Sequence, residues 1–398
     1  MRILYFILFL LFVGFVSCKK TNTNVSVNSC DMADFPLITP NHPKDIKLRK
    51  LMTDLTDIGL PGITLMVEDS NGIWYESSGS ADIENGTKMQ PCHLTKIASV
   101  TKLFTAVMIY KLIEQGKLKL DDKIANFIDD KHISKIENAN QATIADLLSH
   151  SSGIYDVVFD SEFILYTFNN LDKEKTYEKL LSFAYNKKAA FSYQSKRSYN
   201  QTLNHVLLAM VINKVTNVEQ AEILRREIFN PIGMQHSYLR PQENIPWNQV
   251  AKGYYDYRKE GVLQDLTPLF TGDGRGFTGI YSQVNDLRLF TNALFRTKTL
   301  LSSASYQNMI NIPSYDTTLA CAGACRAMQI NINNKVFTWY GHPGGEVNYA
   351  AGAFYCPEKK ATITFTVNYG VAFTDMGKYT DAYFAFRKKV FEIVSADN

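Results

Sequence analysis

A serine three residues ahead of a lysine offers the most direct route to chemistry in this chain. In Ser99-Val100-Thr101-Lys102 the hydroxyl is a weak nucleophile until a base removes its proton. Residues three apart at the start of a helix share a face, with Cβ atoms about 5–6 Å apart. The long Lys102 side chain can close that gap. It must be neutral to act as a base, and desolvation and nearby positive charge promote that state. A helix start also leaves backbone N–H groups free to hold an oxyanion. The chemistry on offer is acyl transfer through Ser99, with Lys102 as general base. Ser-x-x-Lys is a common spacing, and an N-cap serine followed by a solvated lysine is the plain alternative.

Such a pair needs a helix that starts at the serine. Leu103, Val107, Ile109, Tyr110 and Leu112 give the following run an apolar helical pattern that stops at Gly116. Further helical patterns cover residues 144–148, 172–183, 203–215 and 218–229, so residues 100–275 read mostly as helix and loop. Before them come a helix at 47–58 and two strands, 63–68 and 73–77, around the turn Ser70-Asn71-Gly72. After them come strands at 327–332, 336–340, 349–355 and 361–368, and a closing helix at 379–393. Strands at both ends of a helical middle predict an α/β (α+β) fold whose sheet is completed by distant parts of the chain. The chemistry is then expected in a cleft between sheet and helical subdomain. The closing helix is expected to pack on the sheet, which leaves a monomer as the default.

The first residues address the compartment. Arg2 is the only charge before Cys18, and residues 3–16 are apolar apart from Tyr5 and Gly14, the pattern of a secretory signal. Phe15-Val16-Ser17-Cys18 resembles the cleavage box of bacterial lipoproteins, in which the cysteine is lipidated. Residues 1–17 are therefore expected to be a signal peptide and residues 18–40, rich in Lys, Asn, Thr and Ser, a flexible tether. Residues 41–398 form the folded body, exported and held at the bacterial cell envelope by a lipid on Cys18. Net charge is +3, and with no basic array or phosphate loop the chain gives no case for nucleic acid. Cys30, Cys92, Cys321, Cys325 and Cys356 leave an odd thiol if only internal bridges form. Cys321 and Cys325 are close enough to pair across a loop. No acidic or histidine ligands share the cysteine spacing, so no metal is expected.

Residues 97–106, Ile-Ala-Ser-Val-Thr-Lys-Leu-Phe-Thr-Ala, closely resemble the nucleophile segment of the serine β-lactamase and penicillin-binding protein superfamily. The likeness is to the branch holding class C β-lactamases, D-alanyl-D-alanine carboxypeptidases, D-aminopeptidases and related esterases. Pro61-Gly62 and the segments 116–122, 144–153, 228–234 and 276–282 follow in that family's order, so the resemblance covers about residues 50 to 370. It implies a β-lactamase/transpeptidase-like fold, an antiparallel sheet with flanking helices plus a mostly helical subdomain, and a reaction without cofactor. Tyr199-Asn200-Gln201 matches the family's Tyr-x-Asn motif with glutamine in place of asparagine. Tyr199 would relay a proton, or activate Ser99 as its phenolate, and Tyr193 is the alternative phenol. His342-Pro343-Gly344 looks like the family's His-x-Gly variant. His342 would donate a hydrogen bond or carry charge near a substrate carboxylate. Gly344 and Gly345 would let substrate approach the strand, and the resemblance implies an oxyanion hole from the N–H groups of Ser99 and Gly345. His150 reads as a structural loop residue.

The expected substrate is a small molecule or short peptide with an acyl carbonyl, possible sources including peptidoglycan. The reading is a D-alanyl-D-alanine carboxypeptidase-like or D-amino-acid peptidase. An esterase or weak β-lactamase is the first alternative. A non-catalytic penicillin-binding or regulatory module is the second, with Gln201 as its evidence.

Overall fold

Apolar runs from the two ends of the chain meet in one sheet. The structure is a computed structural model and describes residues 25–256, 258, 260–311, 323–371 and 378–397. Strands β1 (Gly62–Asp69), β2 (Gly72–Asp82) and β3 (Thr87–Lys88) come from the front of the chain. Strands β4 (Arg326–Ile332), β5 (Lys335–Gly345), β6 (Ala350–Cys356) and β7 (Ala361–Val367) come from the back. They form a seven-stranded sheet in the order β3-β2-β1-β7-β6-β5-β4. Every pairing is antiparallel, and the halves join where Ile63 faces Val367 and Leu65 faces Phe365.

Strand β7 shows why the sheet is central. Its sequence alternates Ile363, Phe365 and Val367 with Thr362, Thr364 and Thr366, yet every residue is buried. The apolar set joins a core with helices α1 (Asp45–Asp57) and, at the chain's end, Lys378–Ser395. The threonines face the other way, where Thr364 Oγ1 donates to the Val284 carbonyl at 2.9 Å. The closing helix packs on the sheet as expected, through Tyr383, Phe386, Val390 and Phe391.

Helix α2 (Thr101–Glu114) buries all of residues 101–110 and Leu112. A helix apolar all round belongs in the middle of a protein, and α2 forms the core of the helical part with α3 (Leu203–Thr216). Ser99 lies in a 3-10 turn, Ala98–Val100, that leads straight into α2.

The start of the chain departs from expectation. Residues 1–24, with the signal and Cys18, lie outside the described residues. Residues 25–40 are not a free tether. Cys30 is disulfide-bonded to Cys92, Val27 is buried against Ala81 and Met89, and the Thr39 N–H donates to the Ile73 carbonyl at 2.8 Å. A polar composition hid a segment that the body fastens by one covalent bond and scattered backbone contacts. Cys321 also lies outside the described residues, while Cys325 and Cys356 are buried free thiols. No helix among the described residues is long and apolar enough to cross a membrane.

Candidate active site

The turn that carries Ser99 is held against the sheet by a close approach. A Cβ on Gly344 would lie 2.3 Å from the Ile97 carbonyl oxygen, so only glycine lets β5 run this near the turn. Sequence reasoning expected substrate to use that space, and the Ile97 carbonyl takes it instead. Ala98 adopts a positive φ of 49°, a conformation that costs a side-chain-bearing residue energy and is retained where surroundings impose it. Gly345, next along β5, lines the same cleft as Ser99.

Lys102, one residue into α2, is fully buried. Its Nζ lies 2.7 Å from Ser99 Oγ and donates to the Phe277 carbonyl at 3.3 Å. Desolvation pushes its pKa down to about 7, against the pull of Asp156 and Glu346, and the nearby Arg326 lowers it further. A lysine that loses its proton near neutrality can accept the one on Ser99.

Tyr199 lies over this pair. Lys102 Nζ is 5.6 Å from its ring centroid. Burial lifts the phenol's pKa to about 12, with Arg326 and Ser99 pulling it back. Tyr199 is therefore a neutral hydroxyl at working pH, which disfavours the phenolate role. Its ring packs on His150 at 4.8 Å, and the His150 Nδ1 accepts the Asn200 N–H at 3.2 Å. His150 is thus a positioning residue for the Tyr199 loop. Tyr193 is elsewhere, its hydroxyl 2.6 Å from Asp146 at a helix cap.

His342 corrects one expectation. It is buried, and desolvation with Lys102 and Arg326 nearby holds its pKa well below the usual histidine value. Its Nδ1 pairs with the Pro343 carbonyl, which places the proton there and leaves Nε2 to accept from the Tyr199 hydroxyl at 3.3 Å. His342 orients the phenol and carries no charge for a carboxylate. Arg326, which opens β4 opposite Gly341, is a second cation beside this phenol, with Lys102. Its guanidinium stands 4.7 Å from the Tyr199 ring, and no carboxylate pairs with it among the described residues. Strand pairing beside His342 is the signal that could have found it.

Gln201 lines the cleft with Ser99, and its N–H donates to Asp156 at 2.7 Å. Val158, Phe163, Phe277 and Val347 make the apolar wall. Glu346, missed in the sequence although it follows Gly345, also lines it. Behind it lies Lys96, fully buried, 3.2 Å from both Glu346 and Asp273. Asp273 also meets Arg240 at 3.4 Å. Among the described residues no cluster of side chains could hold a metal ion.

Comparison with known proteins adds four findings. The family model described as beta-lactamase matches residues 48–384. A putative D-alanyl-D-alanine carboxypeptidase of Escherichia coli (strain K12) is 26% identical over 236 residues, 54% of this chain and 53% of that protein. The chain thus spans about half the length of that relative. The putative penicillin-binding protein PbpX of Bacillus subtilis (strain 168) is 25% identical over 68% of this chain and 63% of its own length. A D-amino acid amidase from Ochrobactrum anthropi SV3, solved with L-phenylalanine amide, superposes with a TM-score of 0.75 at 22% identity. That match covers 88% of this chain and 98% of the amidase, and it shows a shared fold.

Proposed function

The chain belongs to the beta-lactamase family, and from that premise we propose that it is an exported serine hydrolase of D-amino-acid peptides, D-alanyl-D-alanine carboxypeptidase-like or D-amino-acid peptidase. The observation that carries this reading is the dry lysine, 2.7 Å from Ser99 Oγ with a pKa near 7. Ser99 Oγ attacks the substrate carbonyl as its proton passes to Lys102. The N–H groups of Ser99 and Gly345 hold the resulting oxyanion. Collapse expels the leaving amine, which takes a proton through Lys102 and the Tyr199 hydroxyl. Water, deprotonated by the same groups, then frees the acid and restores Ser99. Gln201 contributes its amide to the substrate side of the cleft.

Arg326 supports a leaving group that ends in a carboxylate, the chemistry of a C-terminal D-amino acid. The naming of the Escherichia coli relative agrees. An ester or β-lactam uses the same steps without needing Arg326. Export rests on the apolar start and the lipobox-like Cys18, and the Cys30–Cys92 disulfide suits an oxidising compartment. We take the mature protein to be a lipid-anchored monomer of the cell envelope.

Arg326→Gln tests the substrate reading. For a peptide ending in D-alanyl-D-alanine, KM rises by about 10- to 100-fold, the worth of a lost charge-assisted hydrogen bond. The same peptide as its C-terminal amide is little affected. Equal effects on acid and amide would remove the carboxylate from the account.

A further inference from the structure

The cleft contains one carboxyl group, its pKa pushed up by burial and pulled back by Lys96, for which the reaction described above has no use. Glu346 is only 6% exposed and lines the cleft beside Ser99 and Gly345. One carboxylate oxygen, Oε2, is engaged by Lys96 Nζ at 3.2 Å and by the Thr271 hydroxyl at 2.8 Å. The other, Oε1, is buried and has no hydrogen-bond partner. An orphaned carboxylate oxygen in a dry site is costly to keep, and such atoms concentrate where a ligand completes them. Lys96 does not serve it, being occupied with Oε2, Asp273 and the Leu269 carbonyl.

The surroundings define what would complete it. Lys96 and Arg240 pair with Asp273 and Glu346, and the buried Lys175 acts on the same group of charges, yet none of these cations hydrogen-bonds Oε1. Lys102, the cation nearest Ser99, must be neutral when it acts as base. The group missing at Oε1 is therefore a hydrogen-bond donor, which the substrate in the cleft can supply. Glu346 directly follows Gly345, so it stands beside the acyl residue whose carbonyl oxygen Gly345 would hold. In an amino acid, the donor nearest that carbonyl is the α-ammonium.

We propose that Glu346 is a specificity-determining contact for a free α-ammonium on the acyl residue. This rests on the hydrolase reading above and narrows it to D-aminoacyl amides, esters and dipeptides with an unblocked amine. Together with Arg326, it fits best a dipeptide, held at the ammonium by Glu346 and at the carboxylate by Arg326. N-acylated peptides present no cation to Oε1 and are poor substrates.

The test compares D-alanyl p-nitroanilide with its N-acetyl form on the full chain. The wild type is expected to favour the free amine by tenfold or more in kcat/KM, about the worth of a charge-assisted bond. In Glu346→Gln that ratio falls toward one. Equal or faster hydrolysis of the N-acetyl form by the wild type would overturn the proposal. A ratio unchanged in Glu346→Gln would do the same. The wild-type ratio stands whether or not the variant folds. If neither anilide turns over, D-alaninamide and N-acetyl-D-alaninamide are compared as competitors of fluorophosphonate labelling at Ser99. Slower labelling with the free amine alone supports the contact, and any other pattern of competition rejects it. Folded wild type that takes no label would sink the hydrolase reading itself, and this inference with it.

Discussion

Lys102→Met lowers kcat/KM by about 10⁴-fold or more, the scale of loss when a nucleophile is deprived of its base, and stabilises the protein at the same time. The wild type shows why both follow. With a pKa of about 7, Lys102 is competent as base only once deprotonated. Wild-type kcat/KM therefore falls tenfold per pH unit below about 7 and levels off above it. In the unfolded chain the same group titrates near the ordinary lysine value of 10.5. The unfolded state thus binds more protons between those two values, and native stability rises with pH across that window. The burden from Lys102 is full below about 7 and vanishes above 10.5. Methionine keeps the volume and removes the charge, so the variant gains roughly a few kcal/mol near neutrality and below. The gain shrinks as pH is raised toward 10. Chemical denaturation at pH 6 and pH 9.5, beside a pH–rate profile, reads both effects. An unchanged profile with Met at 102 would place the base elsewhere.

Tyr199→Phe carries the second large effect. The ring keeps its packing on His150 and its place beneath Arg326, so the loss is that of one hydroxyl. We expect kcat to fall by about 10²- to 10³-fold, the usual range for a positioned proton donor, with KM changing far less. The loss should be much smaller for a p-nitrophenyl ester, whose leaving group needs no proton. Because burial holds the phenol near pKa 12, its ionisation contributes no fall in rate below about pH 10. A deficit equal for amide and ester would make Tyr199 a structural residue.

The two ends of this fold were differently readable. Helix α2 and the strand β7 declared themselves through local composition, since burial on every side leaves apolar or small residues throughout. Ser99 and Lys102 were legible because one helical turn sets their spacing, and Tyr199 because its segment matches a known motif. The structure brings all three together with Gln201, His342 and Gly345. Other features arise only when distant chain segments meet. Arg326 reaches Tyr199 through the β4–β5 register. Glu346 gains its meaning from Lys96 and Thr271, which are 250 and 75 residues away. His342 changed role because its environment is dry, a property that its motif does not encode. The fastened residues 25–40 depend on Cys30 finding Cys92, one pairing among several that an odd cysteine count allowed.

Time-resolved intact-mass spectrometry of the protein with a fluorophosphonate and with benzylpenicillin reaches the central claim most directly. The account predicts a covalent adduct of one equivalent on Ser99, absent from Ser99→Ala and slowed in Lys102→Met. A lasting penicillin adduct would mark slow deacylation, and conversion of the drug would mark a β-lactamase side activity. Folded wild-type protein that takes neither label, or takes it equally in Ser99→Ala, would contradict an acyl-enzyme on Ser99.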